Sequence, residues 1–428
     1  MRLPDDASSL RRSHYTLFLL CGMAAFNAGD RQLLSIMIEP IKHDLGITDT
    51  GIGVLTGVGF ALCYFIAGIP LAMWADRGLR RNVVAFCLTV WSVMTAISGL
   101  TQNFAQMAAA RAGVAIGEAG GNPASHSMIM DLFPPQRRAT AIAIFIASQS
   151  AGIAGGLALA GWLSSLFSWR AVFIICGVPG ILWALVILLT VKEPPRGSGE
   201  PRPGIQEPIL RSIAELWKLK SMRIMLVMAM FGSFNGYAIL AWSPAFFLRV
   251  HDLTAAELAP RIGLATATGL ILGNYLSGRI SDALASRDLR WYMRVSGFGS
   301  LLAVPFLLVF LFSPDLNLAL IGLSGTQLLL TTFMPPLFTV SLTLAPARLR
   351  ATTSMMMGMA LYVVGLSFGP LVIGMLNDHW TPTFGQMAVR FSLLIEIFTL
   401  TICGLLCLLA NRWIVADAER AKARNAIC

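Results

Sequence analysis

Apolar positions fall in long, nearly unbroken runs such as "TLFLLCGMAAFNA" (16–28) and "AVFIICGVPGILWALVILL" (171–189), with polar residues gathered between them. A helix needs roughly 20 such residues to cross a hydrocarbon layer of about 30 Å. Windows of that length predict twelve helical spans, at about 15–41, 50–74, 83–101, 104–130, 140–165, 170–190, 223–248, 258–282, 291–312, 316–344, 353–376 and 389–410. Barrel strands would alternate over about ten residues instead, so the expected class is all-α. The first run is longer than a signal-peptide core and shows no small-residue cleavage site, which predicts a retained first span.

Composition agrees. Of 428 residues 56% are hydrophobic and 13% charged, and the mean hydropathy is +0.70. That balance lies outside the range of soluble globular chains and implies a multi-pass membrane protein. The net charge of +10 raises nucleic acid as a partner, but the positions of the bases exclude it. With a cytoplasmic N-terminus, 25 of the 32 Lys and Arg fall in cytoplasmic segments: Arg2, Arg11 and Arg12, the 77–81 and 137–138 clusters, the stretch from Lys192 to Arg223, Arg279 to Arg294, Arg348 and Arg350, and Arg412 to Arg424. Five lie on the other side (Lys42, Arg170, Arg249, Arg261, Arg390), and two, Arg31 and Arg111, lie within spans. This asymmetry predicts a cell-membrane protein with both termini in the cytoplasm. Six of the seven cysteines sit inside spans with no metal-type spacing, so free buried thiols and no metal are expected.

The segment "VKEPPRGSGEPRPGIQEPILRSIAELWKLKSMR" (191–223) reads as a linker ending in a short amphipathic helix, with six spans on each side. The expected organisation is therefore a six-helix half over 1–191, a linker over 192–221, a second half over 222–412 and a tail over 413–428. The halves repeat locally: Leu132, Pro134, Arg138, Ala139 and Thr140 match Leu344, Pro346, Arg350, Ala351 and Thr352 at an offset of 212. Gly161 and Leu163 match Gly374 and Leu376 at nearly the same offset. Two parallel repeats with a substrate site between them is a plan of secondary transporters.

The loop "AMWADRGLRR" (72–81) resembles the signature of the major facilitator superfamily, a Gly before an Asp-Arg pair and a basic cluster between spans two and three, and with the preceding "GIPL" it also resembles the spinster family. It departs from the pattern at Ala72, in the usual Gly place, and in the order of Gly78 and Leu79; a second copy after span eight has Gly278 and Asp282 at the expected spacing. More narrowly, "DRQLLSIMIEPIKHDLGITDTGIGVLTG" and "GEAGGNPASHSMIMDLFPPQRRATA" resemble the spinster family, densely over about 27–196. Animal members of that family export sphingosine-1-phosphate or lysophospholipids, and the chain is similar to a bacterial member. The resemblance implies an inner-membrane transporter of twelve helices.

Charges inside the spans carry the chemistry. Each costs about 2.5–3.5 kcal/mol at the bilayer centre, so it needs a partner or a task. Span one holds Asp30 and Arg31, and span four holds Arg111 and Glu118, seven residues apart and so on one face about 10 Å apart along the axis. Two acids and two bases predict a four-membered cluster in a cavity, either a structural network or a relay in which Glu118 and Asp30 take protons while Arg31 and Arg111 hold an anionic headgroup. The spinster resemblance implies cavity positions for all four. Spans seven, eight, ten and eleven hold no ionised residue near their centres, and Phe231, Phe234, Phe333 and Met334 are expected to face an acyl tail. Asp76, Arg77, Arg80 and Arg81, with Asp131, Arg137 and Arg138, read as a cytoplasmic gate.

Other signals are weaker. Lys42 reads as a surface anchor or a partner of Glu39, and Glu396 as a satisfied structural acid. The glycines of "GVAIGEAGG" (113–121), and Gly152, Gly155 and Gly156, read as helix-packing positions rather than a dinucleotide site, since no strand precedes them. No phosphate-binding loop and no Ser-His-Asp or metal constellation occurs, so no cofactor is expected and a gradient must supply energy. The leading expectation is a monomeric, proton-coupled carrier of a lysolipid-like amphiphile. A carrier of small organic anions or drugs, a non-transporting lipid sensor and a lipid-processing enzyme are the alternatives.

Overall fold

The computed structural model describes residues 7–195, 209–346 and 349–425. Arg2, Arg348 and most of the linker lie outside them, as do the side chains of Ala139, Arg211, Arg350, Ala351, Lys422 and Arg424. Among the described residues the chain is helical, without strands. The helices group into two compact units, Met1–Pro201 with Leu253–Gly263, and Arg202–Asp252 with Leu264–Cys428.

The first unit contains α1 (Ala7–Ile36), α2 (Ile38–Leu45), α3 (Asp49–Thr56), α4 (Val58–Arg77), α5 (Arg80–Ser98), α6 (Phe104–Leu132), α7 (Pro135–Ser164) and α8 (Trp169–Thr190). The second contains α9 (Ile209–Trp217), α10 (Lys220–Val250), most of α11 (Ala255–Ala285), α12 (Trp291–Phe312), α13 (Leu316–Leu330), α14 (Met334–Leu344), α15 (Arg350–Met359), α16 (Ser367–Phe384), α17 (Ala388–Leu393) and α18 (Ile395–Asn425). A 3₁₀ turn at Thr331–Phe333 joins α13 to α14, and a π turn at Ala360–Leu366 joins α15 to α16. Taken with these joins, the helices make twelve spans, and α9 is the amphipathic helix read at the end of the linker. Among the described residues eight helical segments are long and apolar enough to cross a membrane, the last of them 69 residues long and sufficient for two passes. The helices α1, α6 and α11 stand outside that set, and α1 and α6 are the two interrupted by charge.

The two units share three of their helix packings. In the first, α1 lies against α7, and α5 lies against both α6 and α8. In the second, α10 lies against the π turn of the eleventh span, and α12 against α13 and α18. Each is first-on-fifth, third-on-fourth and third-on-sixth. Without a water-driven force between helices in lipid, such contacts depend on close van der Waals approach. At the α1–α7 crossing a Cβ on Gly156 would stand 2.5 Å from Gly29 Cα. At the α5–α6 crossing a Cβ on Gly117 would stand 2.5 Å from the Trp91 amide nitrogen. Gly155, by contrast, faces open space.

Helix α1 breaks at Met37, and the left-handed turn at Gly46 (φ 62°) brings α3 back beside α2. This turn seats the Lys42 ammonium on Asp49, a partner seven residues away that the i, i+3 spacing of Glu39 does not suggest. Asp44 then ties the end of α2 to the start of α8 through the Trp169 indole, 2.8 Å away, and the Arg170 guanidinium. Those two bonds hold its carboxyl below the usual carboxylate range.

Glu396 corrects the reading of a satisfied acid. It is fully buried on α18, and neither carboxyl oxygen has a hydrogen-bond partner. Its neighbour Thr399 donates instead to Asn235 at 2.6 Å. A buried carboxyl that makes no bond keeps its desolvation cost without return. Glu396→Met is therefore expected to raise the thermal unfolding midpoint of the detergent-solubilised protein, by a gain of about 1–2 kcal/mol.

Candidate functional site

The four intramembrane charges meet inside the first unit, on α1 and α6. Arg31 places Nε and Nη2 each 2.7 Å from Glu118 Oε2. Arg111 Nη1 lies 3.4 Å from Asp30 Oδ2, and Thr95 on α5 donates to Asp30 Oδ1 at 2.6 Å. The crossing works because Asp30 and Arg31 are about 100° apart on α1, while Arg111 and Glu118 share a face of α6. Phe60 of α4 lies between the two bases, 5.2 Å from the Arg31 guanidinium and 5.4 Å from that of Arg111, with Tyr64 5.7 Å from Arg31. Aromatic faces at this range stabilise cations that water does not reach.

Burial is steep across the cluster. Side-chain exposure is 0% for Glu118, 3% for Arg111, 8% for Asp30 and 20% for Arg31. Two atoms remain unsatisfied: Glu118 Oε1 has no donor and Arg111 Nε has no acceptor. Unpaired buried polar atoms are uncommon in folded proteins and call for an explanation. Here one oxygen is open to a proton and one N–H is open to an anion.

Beside the cluster the first unit has a half-open apolar cavity of about 730 Å³ between α1, α5, α7 and α8, lined by Phe26, Trp91, Trp183 and the glycines of α7, with Asp30 on its lining. Ligand sites commonly have about 300–1,000 Å³ and few polar groups.

A charge-paired core in six helices, with three of its packings repeated in six more, matches a known plan. The sequence profile of the Major Facilitator Superfamily matches residues 20–370. The chain belongs to that superfamily. It is 34% identical to an MFS-type efflux pump of Mycolicibacterium smegmatis, over 94% of this chain and 93% of the relative. It is 25% identical to the protein spinster of Drosophila melanogaster, over 71% of this chain and 52% of the relative. Its fold is similar to a crystal structure of a bacterial homolog of the human lysosomal transporter Spinster, inward-facing and unoccupied. The TM-score is 0.85 at 28% identity, covering 95% of this chain and 98% of that one. As a superfamily member with this spinster-like fold, the chain is a multi-pass secondary transporter of small organic substrates, not an enzyme.

In the superfamily loop between α4 and α5 the structure separates residues that the sequence groups. Arg80 is buried, 2% exposed. It reaches Asp131 at 2.5 Å, the carbonyl and hydroxyl of Ser127 at 3.1 and 3.0 Å, Glu193 at 2.7 Å and the Pro194 carbonyl at 2.8 Å. Arg81 donates its backbone N–H to Glu193 at 3.0 Å and its side chain to the Val191 carbonyl at 2.8 Å. Arg138 donates to the Phe133 carbonyl at 3.0 Å. All these partners lie in the first unit. Asp76, Arg77 and Arg137 are exposed. Glu193 and Ser127 are the participants that sequence reasoning missed; Glu193 had been read only as the start of the linker.

The expected tail residues also divide. Phe333 is 4% exposed, its ring against Gly232, and Phe234 is 8% exposed, so both are held in the packing of the second unit. Phe231 is half-buried and Met334 is 37% exposed. His126 packs edge-on against Phe145, ring centroids 5.0 Å apart.

Proposed function

We propose that this transporter carries a lysolipid-like amphiphile, with an anionic head and one acyl chain, by alternating access coupled to protons. The observation that carries the reading is the pair of unsatisfied atoms in the cluster, Glu118 Oε1 and Arg111 Nε, on opposite members of two crossed ion pairs. A proton on Glu118 removes the charge that neutralises Arg31, and a proton on Asp30 does the same for Arg111. Each protonation thus releases a guanidinium to a phosphate oxygen. Headgroup and proton then favour each other's binding, which is the reciprocity that coupling requires.

The cavity beside Asp30 supports an acyl chain in contact with the first unit, and Phe231 and Met334 are proposed as the tail contacts of the second. Asp76, Arg77 and Arg137 are proposed as the movable part of a cytoplasmic gate, with Arg80, Arg81, Asp131 and Arg138 as its fixed base. The proposed setting is a monomer in the bacterial inner membrane with cytoplasmic termini. Drug efflux is the second reading, supported by the 34% identity to the mycobacterial pump.

Uptake of labelled lysophospholipids of graded chain length into proteoliposomes separates the two. The proposal expects transport that rises with chain length and is competed by sphingosine-1-phosphate. Equal transport of short organic anions, or transport only of lipophilic drugs, would contradict it.

A further inference from the structure

A second feature lies in the other unit, in a surface groove between α10 and α18. Lys220, Arg223, Ile224 and Val227 of α10 recur at i, i+3, i+4 and i+7 and so form one stripe. They face Leu406 and Trp413 of α18, also seven residues apart, across a groove of about 320 Å³. The helices run antiparallel there, because Lys220 Nζ lies 5.9 Å from the Trp413 ring while Val227 shares the groove with Leu406. The groove is therefore graded. Two cations and an indole stand at the helix ends, and aliphatic side chains continue about 10 Å into the apolar region.

The charged end is built and held open. Asp417, 2% exposed, accepts from the Ser221 backbone N–H at 3.1 Å and from its hydroxyl at 2.5 Å, tying the start of α10 to α18. Its other oxygen is 3.5 Å from Arg420. The carboxylate is thus engaged away from Lys220 and Arg223, both of which are exposed. Trp217, 52% exposed at the end of α9, stands three residues before Lys220. Tryptophans at this depth mark the boundary between headgroups and hydrocarbon.

We infer that this groove is a binding site for an anionic glycerophospholipid of the surrounding leaflet, its phosphate between Lys220 and Arg223 and one acyl chain along Val227 and Leu406. Charge complementarity selects the head, since basic pockets between membrane helices hold anionic headgroups. The apolar continuation selects a lipid over a free anion. The site is separate from the α1–α6 cluster and needs no transport activity to be occupied.

Thermal unfolding of the full chain in a neutral detergent tests this, titrated with phosphatidylglycerol, with phosphatidylcholine of the same chains, and with glycerol phosphate. The expected result is a saturable rise in midpoint with phosphatidylglycerol alone. Lys220→Gln with Arg223→Gln should raise the half-saturating concentration by about thirtyfold, from two bases acting near the surface. The same double variant should melt like wild type without lipid, since both side chains are exposed, and Arg287→Gln in the turn after α11 should titrate like wild type. Equal responses to the two lipids, an equal response to glycerol phosphate, or an unchanged titration in the double variant would overturn the inference.

Discussion

Glu118→Gln is expected to leave the protein folded while lowering proton-gradient-driven uptake of lysophospholipid by about tenfold or more, because a site that cannot change charge no longer links headgroup binding to the gradient. The amide keeps an oxygen where Glu118 Oε2 accepts from Arg31 at 2.7 Å, so the α1–α6 contact survives. What it loses is the exchange between a charged and an uncharged state. Arg31 is left without its counter-charge at every pH, so equilibrium headgroup binding should persist and lose the part of its pH dependence that Glu118 supplies, keeping the part that comes from Asp30 and Arg111. Counterflow, which needs no gradient, separates the outcomes. A variant that exchanges lipid but does not accumulate it is uncoupled, whereas one that does neither has lost the site. If the cluster only holds α1 against α6, Glu118→Gln should accumulate lipid as wild type does.

Arg80→Ala should have the largest effect on stability, a loss of about 3 kcal/mol. The guanidinium bonds two carboxylates, Asp131 and Glu193, together with Ser127 and the Pro194 carbonyl, at 2% exposure. Truncation leaves two acids, each with side-chain exposure below a fifth, facing one another without the base between them. Arg80→Lys should recover only part of the loss, since one ammonium cannot reproduce the planar fork that serves several acceptors at once. Arg77→Ala, at the exposed end of α4 three residues before Arg80, should change the midpoint by no more than about 0.5 kcal/mol. Thermal unfolding of the three variants in detergent checks this, and similar midpoints for Arg80→Ala and Arg77→Ala would contradict it.

Much of this architecture is legible in the residues because lipid makes polar groups conspicuous. Asp30, Arg31, Arg111 and Glu118 stand out against apolar runs, and their seven-residue and adjacent spacings leave few ways to pair them. Glycines in α6 and α7 announce close helix crossings by the same contrast, except Gly155, whose side of α7 faces open space. What the pattern does not carry is rotation. Thr95, Phe60 and Tyr64 are ordinary residues of apolar helices, and only the packing of α4 and α5 turns them onto the charges. Phe234 and Phe333 look like Phe231 until the break at Thr331–Phe333 seats one ring on Gly232. Lys42 finds Asp49 because α1 breaks at Met37, which no hydropathy window registers. Glu193 sits in a Pro-rich segment that reads as linker, although Arg80 and Arg81 anchor it to the first unit.

In the proposed cycle lipid and proton move together through the α1–α6 cluster. The most direct test is to load proteoliposomes with a pH indicator, hold the membrane potential at zero and start with no pH difference, then add lysophospholipid to one side. Wild-type protein should move protons in fixed ratio to lipid, and Glu118→Gln should move lipid with fewer protons per lipid, only those that Asp30 carries. Lipid transport by wild type without proton movement would contradict the account.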